Sequence, residues 1–484
     1  MWIRRRSARP VPLKSVPLPM RSGGAERIIN DWVSLAFVRH GIGGPKPFTD
    51  YAFVENHTLV PKIRVTTSNP SHKRAARRSP TPVLRPKVTE VTNVNRILSL
   101  LSHPHCTGDT AVIPEPNFPA RPDEFVGRNG QVQAFHQVLA QGLLTGRTPS
   151  FAVLGDWGVG KSSLLLKYFA ICSGPEYAML PVFFSVSTEL SDYKRFAEGL
   201  LDTFTRALET SGSLETRLRT ELQNWKLRRL SVGGASFERQ GTELFLSSGT
   251  AILKHALHDA WRQFIRPAQL NGVIFFLDDL HNFVGPSAEG IALTLRDQFQ
   301  EFAVHGLNYS LCFSARADYF SEIRAFAEPA VRFYDKVYLA SFTPAETQEY
   351  AAAVFGDSAP IHHVSEWLYR KTLGHPYFLA FVSRQLLTPV QGSLSDPELL
   401  WPVIFRRLEQ EKFRSDLANV TEREAQLLRD VAASQNDEIG PSDLSNPYDR
   451  NYFKRLTEKA LLLRVGRGRY KLYHPLFRAF LNEG

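Results

Sequence analysis

The run Gly155-Asp156-Trp157-Gly158-Val159-Gly160-Lys161-Ser162 follows the spacing G-x-x-x-x-G-K-S, with a second hydroxyl residue, Ser163, behind it. Each residue type has a chemical reason. Glycines let successive backbone N–H groups curl around phosphate oxygens with no Cβ in the way. Lys161 offers a positive charge to β- and γ-phosphate, and the Ser162 hydroxyl is a hard oxygen ligand of the kind Mg²⁺ takes. A helix opening near Lys161 adds the partial positive charge of its N-terminus. Residues 155–163 are therefore the predicted nucleotide-phosphate site. A glycine-rich turn that matches by accident is the bland alternative, and the apolar run before it and the helical run after it speak against that.

A second acidic element must lie close by. Val273-Ile274-Phe275-Phe276-Leu277-Asp278-Asp279 supplies it: a strand that apolar is buried, and its carboxyl end is where open α/β sheets bind ligands. The expectation is that Asp278 holds the metal through water and that Asp279 orients or deprotonates the attacking water. A surface loop that merely begins with two aspartates is the alternative. The chain lacks the [NT]-K-x-D signature of guanine specificity, which favours ATP.

These residues need a scaffold. From about residue 125, apolar runs at 151–154, 180–186, 273–277, 310–313 and 337–339 alternate with helix-length segments at 162–172, 193–209, 252–265 and 291–303. Such alternation predicts a parallel α/β sheet. A polar insertion at about 211–250 separates the second and third strands, and its Ser231-Val232-Gly233-Gly234 has no assigned role. After about Thr343 the strands stop, and a helical stretch runs to about Asn419. The last 65 or so residues read as a winged helix: helices at 421–431 and 449–461, then a hairpin whose strands, 462–465 and 469–473, flank the turn Gly466-Arg467-Gly468. The predicted domains are 1–120, 121–342 (ATPase), 343–419 (helical lid) and 420–484 (winged helix).

The 484 residues carry a net charge of +10, unevenly spread. Residues 1–120 hold 18 Lys/Arg against 7 Asp/Glu, and the rest of the chain holds 40 against 41. The same segment holds 15 of the 31 prolines, so it is expected to be mostly disordered. Its charge reads as a solvated tail or as a surface for nucleic acid. Three scattered cysteines, Cys106, Cys172 and Cys312, imply neither a disulfide framework nor a metal finger, and a reducing, cytoplasmic setting is expected. No apolar run approaches the roughly 20 residues of a membrane span.

Further motifs carry a family resemblance. Phe125-Val126-Gly127-Arg128 resembles the G-R box that opens the ATPase module of STAND-type signalling ATPases and the related AAA+ initiators, although Asn129 stands where that box has an acidic residue. Ser310-Leu311-Cys312-Phe313-Ser314-Ala315-Arg316 resembles their fourth-strand sensor segment, Gly374-His375-Pro376-Tyr377 their G-x-P lid box, and Tyr473-His474-Pro475-Leu476-Phe477-Arg478 the end of their winged helix. The resemblance covers residues 120–484. It implies a P-loop sheet of the ASCE/AAA+ type with a helical lid and a C-terminal winged helix. It also implies that Arg128 lies against the adenine, that Arg316 reports on the γ-phosphate, and that Pro376 touches the base. The spelling Asp156-Trp157-Gly158 is also similar to KAP-type ATPases, whose inserted membrane helices have no counterpart here.

The activity so implied is slow, Mg²⁺-dependent ATP hydrolysis in a conformational switch that alternates between ATP and ADP. The rival reading is an initiator-like ATPase that uses the winged helix on duplex DNA. Residues 440–484 hold nine Lys/Arg and four Asp/Glu, with Arg450, Lys454, Arg455 and Lys459 on one predicted helix and Arg467 and Arg469 at the wing tip. Against this stands a winged helix that packs on the ATPase as an internal latch. A scaffold with a dead nucleotide site is disfavoured by the intact Lys161, Ser162, Asp278 and Asp279. A protein partner of unspecified kind and a nucleotide-dependent oligomer complete the expectations.

Overall fold

Strand alternation sets the architecture. In the computed structural model, Phe275 and Leu277 point to one face of a central sheet while Ile274 and Phe276 point to the other, and all four are fully buried. Successive strand side chains face opposite ways, so a continuous apolar run requires a cover on both faces. The structure describes residues 51–52, 60–61 and 114–483, apart from 191, 213–215, 235–248, 284–289, 357–360 and 388–396. The expectation of disorder for residues 1–120 falls mainly outside the described residues. In the N-terminal unit, Tyr51–Ala52 pairs antiparallel with Val60–Pro61.

The sheet has five parallel strands: β1 (Phe151–Gly155), β2 (Met179–Ser185), β3 (Gly272–Asp278), β4 (Tyr309–Ala315) and β5 (Asp335–Leu339), in the order β2-β3-β4-β1-β5. This is a parallel sheet covered by helices on both faces, as the alternation of apolar runs and helices predicts. Helices α1 (Asn129–Thr145) and α2 (Lys161–Ser173) cover one face through Phe135, Leu164, Leu165 and Tyr168. Helix α3 (Tyr193–Thr210) belongs to the cover of the other face, through Phe196 and Phe204. Each fully buried Phe contributes on the order of 2–3 kcal/mol. The polar insertion expected at 211–250 contains a helix, α4 (Thr216–Gly234), whose Leu222 and Trp225 join this second core. The same face is completed by α5 (Gly249–Ala260), α6 (Ile291–Val304) and α7 (Tyr319–Phe333).

Beyond β5 the chain is helical: α8 (Pro344–Phe355), α9 (Ile361–Thr372), α10 (Pro376–Leu387) and α11 (Pro397–Leu408), the last prolonged by a π turn over Glu409–Phe413. There follow α12 (Glu422–Ala433), α13 (Arg450–Glu458), the antiparallel strands β6 (Leu462–Gly466) and β7 (Arg469–Leu472), and α14 (Pro475–Glu483). Helices α8 and α12 start on capping boxes, Thr343 with Glu346 and Thr421 with Glu424. One apolar core runs without a break from Phe342 and Phe378 through Phe413 to Phe453 and Phe477. The segments on either side of residue 420 therefore share their interior. No described helix is long and apolar enough to cross a membrane.

Candidate functional site

β1 ends at Gly155 and α2 begins at Lys161, with Gly158 (φ 74°) and Gly160 (φ 90°) in left-handed backbone between them. A Cβ on Gly158 would come 2.7 Å from Cε1 of His375, so both torsion and packing demand glycine there. Lys161 Nζ folds back and donates to the Asp156 carbonyl at 2.8 Å. Burial lowers the Lys161 pKa, and the charges of Asp279, Asp278 and Asp156 oppose that. Burial likewise raises the Asp156 carboxyl, against the pull of Lys161 and of Lys471 on β7.

β3 delivers Asp278 and Asp279 beside this loop. Because Leu277 pairs with Phe313, Ser314 on β4 stands next to Asp278. Its hydroxyl donates to Asp278 Oδ1 at 2.6 Å and accepts the Asp279 N–H at 2.7 Å. The Ser162 hydroxyl is close enough to favour the charged form of Asp278. Burial, then the Asp279 charge, push the Asp278 carboxyl up to about 6 despite these bonds. The arrangement brings together two hard oxygen donors, Ser162 and Asp278, as a Mg²⁺ site requires. Asp279 is in left-handed backbone (φ 56°) and its side chain is 41% exposed, open to a small molecule.

Arg316 follows β4 but faces carboxylates in this arrangement: its Nη2 lies 2.9 and 2.8 Å from the two oxygens of Glu322, and its Nε lies 3.5 Å from Asp318. A γ-phosphate would have to compete with both. Arg128 is 6% exposed and in left-handed backbone. Its guanidinium donates to the carbonyls of Ala340 and Val159 and sits 4.8 Å from the Phe342 ring centroid. The Arg128 N–H donates to Glu346 at 3.2 Å, so one carboxylate caps α8 and anchors the residue ahead of α1. Pro376 is the first residue of α10. Ser163 Oγ accepts from the Ala120 N–H at 3.0 Å, and Lys167 donates to the Pro122 carbonyl at 2.9 Å. Residues 120 and 122 are thus tied to α2.

Helix α10 and the residue ahead of it reach the loop between β1 and α2 directly. His375 Nε2 hydrogen-bonds to the Trp157 carbonyl at 3.0 Å, and the Tyr377 N–H donates to the Gly158 carbonyl at 3.2 Å. The Trp157 ring lies 4.5 Å from the Tyr377 ring and 6.3 Å from that of Tyr473, with the Lys412 ammonium 4.2 Å from its centroid. Lys412 and Tyr473 both bond to Asp416. Sequence reasoning assigned no role to Ser314, Glu346, His281, Lys412 or Asp416. Ser314 left a signal, a polar residue inside an apolar strand. His281 lies two residues after Asp279 but carries no motif, and Glu346, Lys412 and Asp416 needed the folded chain, because they meet their partners near the loop from segments distant in sequence.

A strand, a glycine-rich turn carrying Lys161, and an acidic end of the next-but-one strand define a P-loop nucleoside triphosphatase. Residues 124–304 match the model of the AAA ATPase domain family. Similar solved structures include a Walker-type ATPase of Pyrococcus abyssi (14% identity, 75% of this chain and 97% of that one, TM-score 0.45). The ORC2 protein of Aeropyrum pernix is 13% identical over 76% of this chain and 96% of its own, with a TM-score of 0.48. The RuvB Holliday junction branch migration motor of Thermotoga maritima is 15% identical over 76% and 98%, with a TM-score of 0.39. No curated protein matches the chain.

Proposed function

We propose that the chain is a slow, Mg²⁺-dependent ATPase that works as a STAND-like conformational switch, with helices α8–α11 as lid and residues 420–484 as a winged helix latched onto the phosphate loop. The observation that carries this reading is the position of Trp157. Its carbonyl is bonded by His375, and its ring is covered by Tyr377, Lys412 and Tyr473. A residue inside the phosphate-binding loop therefore touches both C-terminal segments, so a change in the loop has a path to them. A γ-phosphate shifts such an equilibrium only through contacts that ADP lacks. Arg316 would supply one, on exchanging Glu322 for phosphate.

The roles follow from chemistry. Backbone N–H groups of residues 155–163 and Lys161 hold the phosphates. Ser162 and Asp278 would hold Mg²⁺, which neutralises charge on the β- and γ-phosphates. Asp279 takes a proton from the attacking water as ATP and water become ADP and phosphate. Asp279→Ala is expected to keep binding and impair hydrolysis.

Duplex DNA contact by the C-terminal segment is the second reading, favoured by the exposed Arg450 and Arg467. Ion pairs within the segment weigh against it, because they occupy cations that a duplex backbone would need. Arg455 and Lys459 both engage Glu424, which is 1% exposed, and Arg469 engages Asp443. The test is ATP turnover with and without duplex DNA, beside Lys161→Ala. Slow turnover that ignores DNA and vanishes in the variant supports the switch. Turnover stimulated by DNA, with binding that falls steeply with salt, supports the initiator-like reading instead.

A further inference from the structure

We infer that His281 is a positioning residue for hydrolysis, donating from Nδ1 to the carboxylate of Asp279 so that the other carboxylate oxygen is aimed at the attacking water. This rests on the assignment of Asp279 above.

The geometry comes from the turn after β3. Asp279 adopts φ 56°, and Leu280–Asn282 form a single 3₁₀ turn closed by the Asn282 N–H to the Asp279 carbonyl at 2.8 Å. Leu280 is fully buried and pins the turn. His281 is thereby brought back beside the residue two positions before it, with Nδ1 3.9 Å from Asp279 Oδ1. Left-handed backbone at a non-glycine residue is strained and persists only where the surrounding structure holds it, as at functional sites.

His281 Nδ1 is shielded from solvent and has no hydrogen-bond partner among the described residues. A buried, unsatisfied ring nitrogen costs free energy, so it has a use to be found. The nearby charges are Lys161, Arg316 and Asp318, all in the nucleotide site. Burial, reinforced by the two cations, pushes the His281 pKa down to about 4, so the ring is neutral and acts as a hydrogen-bond donor rather than a counter-charge. An approach of about 1 Å converts the 3.9 Å contact into a hydrogen bond. Ser314 holds the other side of the pair: it accepts the Asp279 N–H at 2.7 Å and stands 3.5 Å from Asp279 Oδ1. Together the two residues would leave the carboxylate one orientation.

The experiment compares His281→Ala, His281→Asn and His281→Gln in the full chain. Asn carries its amide nitrogen near the position of Nδ1, while Gln carries it near Nε2. Steady-state ATP turnover, nucleotide binding and thermal unfolding are measured for each, with and without Asp279→Asn. The expected result is a kcat about ten- to a hundredfold lower for Ala and Gln, with binding and KM within about twofold, and near-normal kcat for Asn. In the Asp279→Asn background, His281→Ala should add no further loss. Equal kcat for the Asn and Gln variants, or full additivity with Asp279→Asn, overturns the inference, and the Asn–Gln contrast holds even if Ala fails to fold. Turnover that needs Asp279 but ignores His281 sinks this inference alone. A wild-type chain with no turnover sinks the hydrolytic reading and the inference with it.

Discussion

His375, the residue before the first turn of α10, donates from Nε2 to the carbonyl of Trp157 at 3.0 Å, tying α10 to the loop between β1 and α2 by a bond between residues 218 positions apart. A carbonyl can only accept, so the proton sits on Nε2, and Nδ1 has no partner among the described residues. His474 packs against it with ring centroids 5.5 Å apart. His474 donates from Nε2 to the Thr372 carbonyl at 2.9 Å and accepts the Leu476 N–H on Nδ1 at 3.1 Å. Both rings are built into the interface as neutral imidazoles.

A pH dependence follows. Burial, then the neighbouring His474, lower the His375 pKa to about 3, and burial lowers that of His474 to about 4, from an ordinary 6.5. The unfolded chain therefore takes up these protons first as pH falls, and stability falls with it. The contribution is complete above about pH 6.5 and is lost toward pH 4 and below, at up to about 1.4 kcal/mol per pH unit per group. Thermal unfolding at about pH 7.5 and about pH 5 should show this loss, and a His375→Gln, His474→Gln double variant should show a flatter profile. Identical profiles would remove the two histidines as its source.

Lys161→Ala should abolish nucleotide binding, seen as the loss of ATP-induced thermal stabilisation. The lysine is held inside against a burial penalty, so the nucleotide-free variant should melt within about 5 °C of the parent. Retained ATP stabilisation would displace Lys161 from the phosphate site.

Lys412→Ala should loosen the grip on Trp157. The ammonium lies 4.2 Å from the indole centroid and is 17% exposed, a geometry worth about 0.5–2 kcal/mol. Release of a fluorescent ADP analogue is expected to quicken by about threefold to thirtyfold, with Trp157 emission shifted toward that of an exposed indole. Unchanged release would separate this contact from nucleotide retention.

Gly374→Ala should be among the most damaging single changes outside the nucleotide loop. Gly374 has φ 69°, and a Cβ there would collide with the Phe342 carbonyl oxygen, whose own N–H is bonded to the Gly374 carbonyl at 2.8 Å. A loss of about 3 kcal/mol or more is expected by denaturant unfolding. A loss below about 1 kcal/mol would mean that the segment shifts freely.

The amino-acid sequence alone determined the central sheet and its nucleotide loop. Short apolar runs that alternate with helix-length segments read as covered parallel strands, and the G-x-x-x-x-G-K-S spacing has a local backbone meaning that needs no distant partner. Asp278 and Asp279 were legible for the same reason, at the end of Gly272–Asp278. The folded chain decided what sequence distance hides. Ser314 meets Asp278 only through strand register, Glu346 meets Arg128 only through the packing of α8, and Arg316 turns to Glu322 by a contact that no motif encodes. Helix α4 escaped notice because its sequence is mostly polar, while Leu218, Leu222 and Trp225 pack it onto the core. The covering of Trp157 by residues 377, 412 and 473 is likewise a product of packing. Side chains that meet across hundreds of residues leave no periodicity in the chain, and their pairing is fixed by the shape of the core that joins them.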